Sequence, residues 1–198
     1  MNIIQIGCND CNDHLKDYVR ENYGQINKLI LVDPNEIRIN NCHKVYEPFN
    51  KNIDFKIIVK AINAQNSDKL ILYHNPNETN GHHTSVHRQH LIDHHHSESD
   101  IVGEEFPSVK LNDLLDEHNI SVVDRLYVDT EGYDIDILRS IDYNRFKIKY
   151  IQFESTHSDG SFSGFTQKLS DFIDELNELG YSFINAPYGE VIAVLSKP

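Results

Sequence analysis

The sequence lacks the features that cross a membrane, build a disulfide framework or hold a polyanion. It has no apolar run of roughly 20 residues, the length that spans a bilayer, and no basic-then-apolar leader at its start. Three cysteines in 198 residues do not make a disulfide framework, so a reducing compartment is expected. Lys and Arg number 18 against 31 Asp and Glu, and the net charge of −13 argues against partners held by phosphate contacts. We therefore expect a soluble, cytoplasmic protein that binds neither nucleic acid nor membrane.

Patterns typical of strands and helices alternate along the whole chain. Short apolar runs that end at Gly or at polar residues predict buried strands at 3–6, 29–32, 55–59, 70–73, 125–128 and 150–153. Helical spacing of apolar residues predicts helices at 14–23, 134–141 and 165–179, and 109–118 is predicted as a short strand followed by a helix. Segments 181–185 and 191–195 flank a turn and predict a closing hairpin.

This alternation predicts an α/β, Rossmann-like fold, with a mostly parallel sheet, helices on both faces and an antiparallel hairpin at the C-terminus. No repeat or linker divides residues 1–198, so we expect a single domain. Residues 74–107 are polar and lack a strand pattern, and 82–107 is predicted to be a flexible loop or lid. In such folds ligands bind beyond the carboxyl ends of the strands.

The turn after the first strand begins with Gly7, whose missing Cβ permits a sharp turn and the close approach of a ligand. A dinucleotide fingerprint would require Gly at two further positions, which here are Asn9 and Asn12. By itself, Gly7 also fits an ordinary turn that ends a strand. Cys8 and Cys11 form a C-x-x-C pair, which could be a redox dithiol or half of a zinc site, but no second pair accompanies it.

Asp33 follows the second predicted strand, about two dozen residues after Gly7, a spacing that suits a carboxylate binding the hydroxyls of a ribose. An Asp-Pro turn is the alternative. A stronger feature is the segment 126–138, in which a buried strand delivers Asp129 and Glu131 to the carboxyl edge of the sheet. A structural turn does not require acidic residues at both positions, so both are predicted to belong to a site.

Residues 128–134, Val-Asp-Thr-Glu-Gly-Tyr-Asp, resemble the Lys-x-Asp-x-Glu-Gly pattern of the FkbM methyltransferases, with Tyr127 at the position of the family's Lys. Segments 60–62, 70–73, 84–85, 109–115 and 179–181 are also similar to the family, although Asn112 replaces a usual Asp. The chain departs from the family at Cys11, where a second loop Gly is common, and it starts directly at the first strand.

The resemblance implies a class I methyltransferase fold, S-adenosylmethionine as donor, and a hydroxyl of a sugar, glycan or small molecule as acceptor. It implies a cofactor site in which Gly7, Asn9 and Asp10 hold the methionine end, Asp33 the ribose, Ala61 and Ile62 the adenine, and Asp129 lies near the methyl group. The acceptor loop would contain His83, Thr84 and Ser85. A hydroxyl is a poor nucleophile, so a base is expected; the candidates are Asp129, Glu131, Glu154 and His157.

Histidines crowd the segment between His82 and His96, and four of them share a helical spacing, at positions 83, 87, 90 and 94. Such spacing can bind a divalent metal, which could lower the pKa of an acceptor hydroxyl. We favour a solvated lid over a metal site, for which His83, His87 and His90 would be the ligands.

Two other functions fit part of the same evidence. A nicotinamide-dependent oxidoreductase would also use Gly7 and Asp33, but the missing glycines and the closing hairpin disfavour it. A binding module for an adenosine cofactor that has lost catalysis is the other alternative. The sequence indicates neither the acceptor nor the oligomeric state.

Overall fold

The fold is described from a computed structural model, which covers residues 1–49, 52–78, 83–158, 166–186 and 189–196. Its helices are α1 (His14–Asn22), α2 (Glu36–Tyr46), α3 (Arg88–Asp93), α4 (Leu111–Glu117), α5 (Asp134–Arg139) and α6 (Gln167–Glu178). Its strands are β1 (Asn2–Ile6), β2 (Lys28–Val32), β3 (Asp54–Ile58), β4 (Ala61–Ile62), β5 (Lys69–His74), β6 (Val102–Val109), β7 (Val122–Val123), β8 (Arg125–Val128), β9 (Lys147–Ile148), β10 (Tyr150–Glu154), β11 (Tyr181–Asn185) and β12 (Glu190–Leu195).

Seven strands form the central sheet in the order β11-β12-β10-β8-β1-β2-β3. The strands from β10 to β3 pair in parallel, and β12 runs antiparallel to both β10 and β11. The predicted α/β fold and the C-terminal hairpin are therefore confirmed, with the antiparallel strand one position inside the edge. Ile6 is in register with both Val32 and Val128, so β1, β2 and β8 end at the same edge of the sheet.

Successive side chains of a strand point to opposite faces of the sheet. Because the central strands are apolar on both faces, helices pack on both sides of this sheet. Ile3 of β1 packs with Leu15 of α1 and Ile39 of α2, whereas its neighbour Ile4 belongs to a larger cluster with α4, α5 and α6. Each fully buried Leu or Ile contributes about 1.5–3 kcal/mol by leaving water. This two-sided burial holds the strand ends, and the turns that follow them, in fixed positions.

The sequence pattern suggested that the segment 74–107 is irregular, but the structure shows regular elements in it. It contains α3 and most of β6, and β6 pairs antiparallel with β5 and parallel with β4 in a second, three-stranded sheet. The pattern missed β6 because its residues 102–105 are exposed and include Gly103 and two glutamates, so no apolar alternation marks it. Its motion as a lid stays a prediction, and His82 lies outside the described residues.

Other differences are local. The sequence patterns did not predict the helix α2, because only Ile39, Cys42 and Tyr46 are buried along its 11 residues. The helix begins after Asn35, whose side chain accepts a hydrogen bond from the Arg38 N–H. Phe165, the predicted start of α6, lies outside the described residues. Within the described part of the chain, no helix has the length and apolar character needed to cross a membrane.

Candidate active site

A cavity of about 710 Å³ lies at the carboxyl edge of the sheet, between the turns that follow β1, β2 and β8 and the three-stranded sheet. This volume falls within the about 300–1,000 Å³ that is typical of small-molecule and cofactor sites. All the residues that the sequence assigned to a cofactor line it: Gly7, Asn9, Asp10, Asp33, Ala61, Ile62 and Asp129.

The first wall of the cavity is the turn at Gly7, where the backbone adopts φ +75°. A Cβ at this position would lie 1.6 Å from the carbonyl oxygen of Asp129, a distance that real atoms cannot adopt. The Gly7 N–H donates to the Val32 carbonyl at 2.9 Å, and the Asp129 N–H donates to the Ile6 carbonyl at 3.0 Å. Glycine therefore allows the ends of β1 and β8 to meet directly beside the cavity.

Asp33 joins this turn to the start of α2. Its two carboxylate oxygens accept backbone N–H groups of Asn9 and Asn35, each at 2.8 Å, and the residue is 8% exposed. Burial raises the pKa of the Asp33 carboxyl above its usual value, although the same two hydrogen bonds oppose the shift. Each oxygen retains a second lone pair, so Asp33 can hold the turn and also accept a ligand hydroxyl at the cavity.

The cysteines of the turn are not paired as the C-x-x-C spacing suggested. Cys11 forms a disulfide with Cys42 of α2, and Cys8 is a buried free thiol. Burial, reinforced by the Asp33 and Asp13 carboxylates, raises the pKa of the Cys8 thiol well above its usual value. A Cys8–Cys11 dithiol is therefore wrong for this structure, and the one disulfide that the three cysteines form is a single bond rather than a framework.

Asp129 and Glu131 form the second wall, after β8. Asp129 is exposed and lines the cavity, and the pKa of its carboxyl is raised well above the usual value by desolvation at the cavity wall, with the charges of Glu131 and Asp134 adding to the shift. Desolvation and the charge of Glu154 raise the pKa of Glu131 to about 8. Glu131 also adopts φ +55°, which is uncommon for a residue with a side chain and is found most often where function requires it.

Asp134 supports this wall from below, a role that the sequence did not suggest. It is 1% exposed, and its carboxylate accepts the Thr130 N–H at 3.2 Å, the Thr130 hydroxyl at 2.8 Å and the Glu154 N–H at 3.4 Å. Burial raises its pKa to about 6. Asp134 thereby ties the turn after β8 to the end of β10.

The other two predicted base candidates lie behind the wall, because neither Glu154 nor His157 lines the cavity. The Glu154 Oε1 atom is 2.8 Å from His157 Nδ1, and His157 is 6% exposed. Hydrogen bonding to Glu154 and the nearby acids raise the pKa of His157 against the opposing effect of burial.

Of the predicted acceptor loop, Thr84 alone is among the cavity-lining residues. Ser85 is 1% exposed, and its hydroxyl donates to the Glu131 carbonyl at 2.6 Å, so it positions the wall rather than facing the cavity. The His83 ring stacks on that of His94, with 4.2 Å between centroids.

The histidines form two groups that differ from the predicted set. Ligand atoms of His90, His94, His157 and Glu131 lie within 4.8 Å of one another, as do those of Glu78, His83 and His96. His87 belongs to neither group among the described residues, so the predicted trio of His83, His87 and His90 is not brought together. Helical spacing did not predict these two groups, because α3 ends at Asp93 and because His157 comes from a distant part of the chain.

The cavity is strongly acidic. Among the described residues that line it, Lys60 is basic, and the following are acidic: Asp10, Asp13, Asp33, Glu36, Glu104, Glu105, Asp129 and Glu131. Such a lining attracts a cation and repels phosphate-rich ligands.

The sequence model of the methyltransferase FkbM domain matches residues 2–183. The chain is similar in structure to methyltransferase FkbM from Methylobacillus flagellatus KT, with a TM-score of 0.57 and 11% identity over 98% of this chain and 43% of that one. It thus spans less than half the length of that protein, and at this identity the likeness is one of fold.

Two further structures have TM-scores of 0.48. M. capricolum TrmK, in complex with S-adenosyl-homocysteine, is 14% identical over all of this chain and 63% of its own. Podospora anserina methyltransferase PaMTH1, bound to the same product, is 12% identical over 99% of this chain and 72% of its own. No curated protein matches the chain significantly.

Proposed function

Because the chain belongs to the FkbM methyltransferase family, we propose that it transfers a methyl group from S-adenosylmethionine to a hydroxyl of a sugar, glycan or small molecule. One observation carries this proposal: Gly7, Asp33 and Asp129, at the ends of three neighbouring strands, border one cavity of cofactor size. Cofactors bind at this edge in α/β folds.

The lining residues suit the parts of this cofactor. Asn9 and Asp10, in the turn opened by Gly7, would hold the amino-acid end, and the unused lone pairs of Asp33 would accept the ribose hydroxyls. Ala61 and Ile62 offer an apolar surface for the adenine ring. The excess of carboxylates favours a cationic ligand, and a sulfonium is one.

When bound, S-adenosylmethionine supplies a methyl group on a sulfonium that is already a good leaving group. The work left to the protein is to hold the acceptor oxygen in line with that methyl and to remove the acceptor's proton. In such a transfer the acceptor oxygen would bond to the methyl carbon as the bond from carbon to sulfur breaks, adenosylhomocysteine would leave, and the acceptor's proton would pass to the base.

Asp129 is our candidate for the base, since it lines the cavity whereas Glu154 and His157 do not. Its raised pKa suits a carboxylate that takes up a proton during the reaction. Glu131 also lines the cavity, but its side chain turns toward His90, with 3.0 Å between Oε2 and Nε2.

The test is transfer of a labelled methyl group to a panel of monosaccharides, oligosaccharides and small alcohols. We expect turnover by the wild-type chain and a loss of about 10²–10⁴-fold in Asp129→Asn, with adenosylhomocysteine affinity changed only a few-fold. Asp113→Asn, an exposed acid on α4, is the matched control and should keep full activity.

Two results would contradict the proposal. Turnover that is equal in Asp129→Asn and wild type would remove Asp129 as the base. Cofactor binding without transfer to any acceptor would favour the binding module that has lost catalysis.

A further inference from the structure

We propose that His90, His94, His157 and Glu131 form a binding site for a divalent first-row transition-metal ion, with Zn²⁺ as the best fit. The four side chains come from three separate parts of the chain, and their ligand atoms lie within 4.8 Å of one another. His90 lies in α3 and His94 caps its end, Glu131 follows β8, and His157 follows β10.

Two of the distances between the ligand atoms match those in a tetrahedral site. Zinc lies about 2.0–2.1 Å from imidazole nitrogens, so the ligand atoms of a tetrahedral site are about 3.3 Å apart. In this cluster His90 Nε2 is 3.0 Å from Glu131 Oε2, and His94 Nε2 is 3.2 Å from His157 Nε2. The centroids of the three imidazole rings lie 4.5–5.0 Å from one another.

Hydrogen bonding does not account for the close approach of His90 to Glu131. His90 is 0% exposed, and neither of its ring nitrogens makes a hydrogen bond of acceptable geometry with the described residues. A buried polar atom without such a bond costs about 1–3 kcal/mol. A metal ion bridging His90 Nε2 and Glu131 Oε2 would satisfy both atoms.

Neighbouring groups hold the ligands as metal sites require. The Glu154 carboxylate lies 2.8 Å from His157 Nδ1, which leaves Nε2 of that ring directed toward His94. Carboxylates commonly orient metal-binding histidines in this way. The Ser85 hydroxyl fixes the backbone of Glu131 through its carbonyl.

The chemistry of the four side chains also suits a metal. Three imidazoles with one carboxylate select zinc and its neighbours rather than Mg²⁺ or Ca²⁺, which prefer oxygen ligands.

Glu131 connects the metal site to the cavity, since it belongs to the cluster and also lines the cavity wall. A metal held by all four side chains has its tetrahedral positions filled, so it would fix the Glu131 carboxylate, and with it the wall that faces the acceptor, rather than bind the acceptor oxygen. This role rests on the proposed methyl transfer, whereas metal binding by the cluster does not.

Metal binding is tested on the full chain after removal of bound metal with EDTA. We expect calorimetry with ZnCl₂ to show one site per chain, and Co²⁺ to give the intense visible bands of tetrahedral coordination. His94→Asn and His157→Asn should each weaken Zn²⁺ binding by about 100-fold or more. His95→Asn is the matched control, because this neighbour is exposed and belongs to neither histidine group.

Two further measurements separate metal loss from misfolding or from failure of the methyltransferase proposal. Zn²⁺ should raise the melting temperature of wild type and His95→Asn but not of His94→Asn. His94→Asn should still bind adenosylhomocysteine with wild-type affinity, whatever its zinc affinity. Equal Zn²⁺ affinity in wild type, His94→Asn and His157→Asn would overturn the proposal, as would the absence of Zn²⁺ binding by the wild-type chain at pH 7.

Discussion

At Gly7 the backbone after β1 passes the carbonyl of Asp129 with no room for a side chain. The positive φ adds a second requirement for glycine, because residues with a Cβ rarely adopt that conformation. The geometry of the cavity thus depends on a single missing methyl group. Glu131 also has a positive φ, of +55°, but it carries a side chain. At this position the backbone strain is tolerated and the carboxylate is retained.

We predict that Gly7→Ala destabilises the chain by several kcal/mol and abolishes adenosylhomocysteine binding, because the new Cβ forces the ends of β1 and β8 apart. Gly24→Ala is the matched control, since a Cβ there meets nothing within 4 Å. Chemical denaturation and calorimetry on both variants make the comparison. A Gly7→Ala chain as stable as Gly24→Ala would refute the close approach.

Single positions also show where sequence reasoning reached the site and where it stopped. Gly7, Asp33 and Asp129 were predictable because each directly follows a recognisable buried strand. The partnership of His90 with His157 was not, since 67 positions of chain separate them and only the fold brings them together. Ser85 was assigned to the acceptor, but its hydroxyl points at the backbone of Glu131.

Among the elements, the turn after β1 and helix α2 act as one unit. The disulfide between Cys11 and Cys42 joins them covalently, and Asp33 bridges them through the N–H groups of Asn9 and Asn35. Cys11 occupies a backbone position with φ +60°, where the FkbM resemblance suggested glycine. The disulfide to Cys42 holds this residue, and with it the turn, against α2.

We predict that reduction of this disulfide lowers the free energy of unfolding by about 3–4 kcal/mol, the loop-closure value for a separation of 31 residues. Thermal melts with and without reductant should differ by about 6–16 °C in wild type. Cys42→Ser should melt at the lower temperature under both conditions. Cys8→Ala is the control that removes a thiol but keeps the bond, and it should keep the sensitivity to reductant. A wild-type melt that reductant does not change would contradict the account.

The elements that the sequence predicted correctly are those with a clear apolar pattern. The strands β1, β2, β8 and β10 are nearly fully buried, and α6 presents Leu169, Phe172 and Leu176 on one face. β6 and α3 were missed because backbone pairing to β5 and packing against the site, rather than their own side chains, define them.

At the scale of the molecule, the fold places the cavity at the edge of the sheet and the histidine cluster against each other, with Glu131 common to both. Eight of the described acidic residues line the cavity, an arrangement that favours a cationic ligand. The chain covers 43% of the length of the FkbM methyltransferase it resembles in structure, so the acceptor specificity of the whole protein stays a proposal. The cytoplasmic location also stays a prediction.

The most direct test of the central claim is isothermal titration of the full chain with adenosylhomocysteine and, separately, with NAD⁺. We predict one adenosylhomocysteine site per chain, no binding of NAD⁺, and an adenosylhomocysteine affinity lowered at least about 10-fold in Asp33→Asn, which loses a carboxylate acceptor at the ribose. Asp54→Asn, an exposed acid at the opposite end of the sheet, should bind like wild type. Absence of adenosylhomocysteine binding, or NAD⁺ binding of equal strength, would contradict the account.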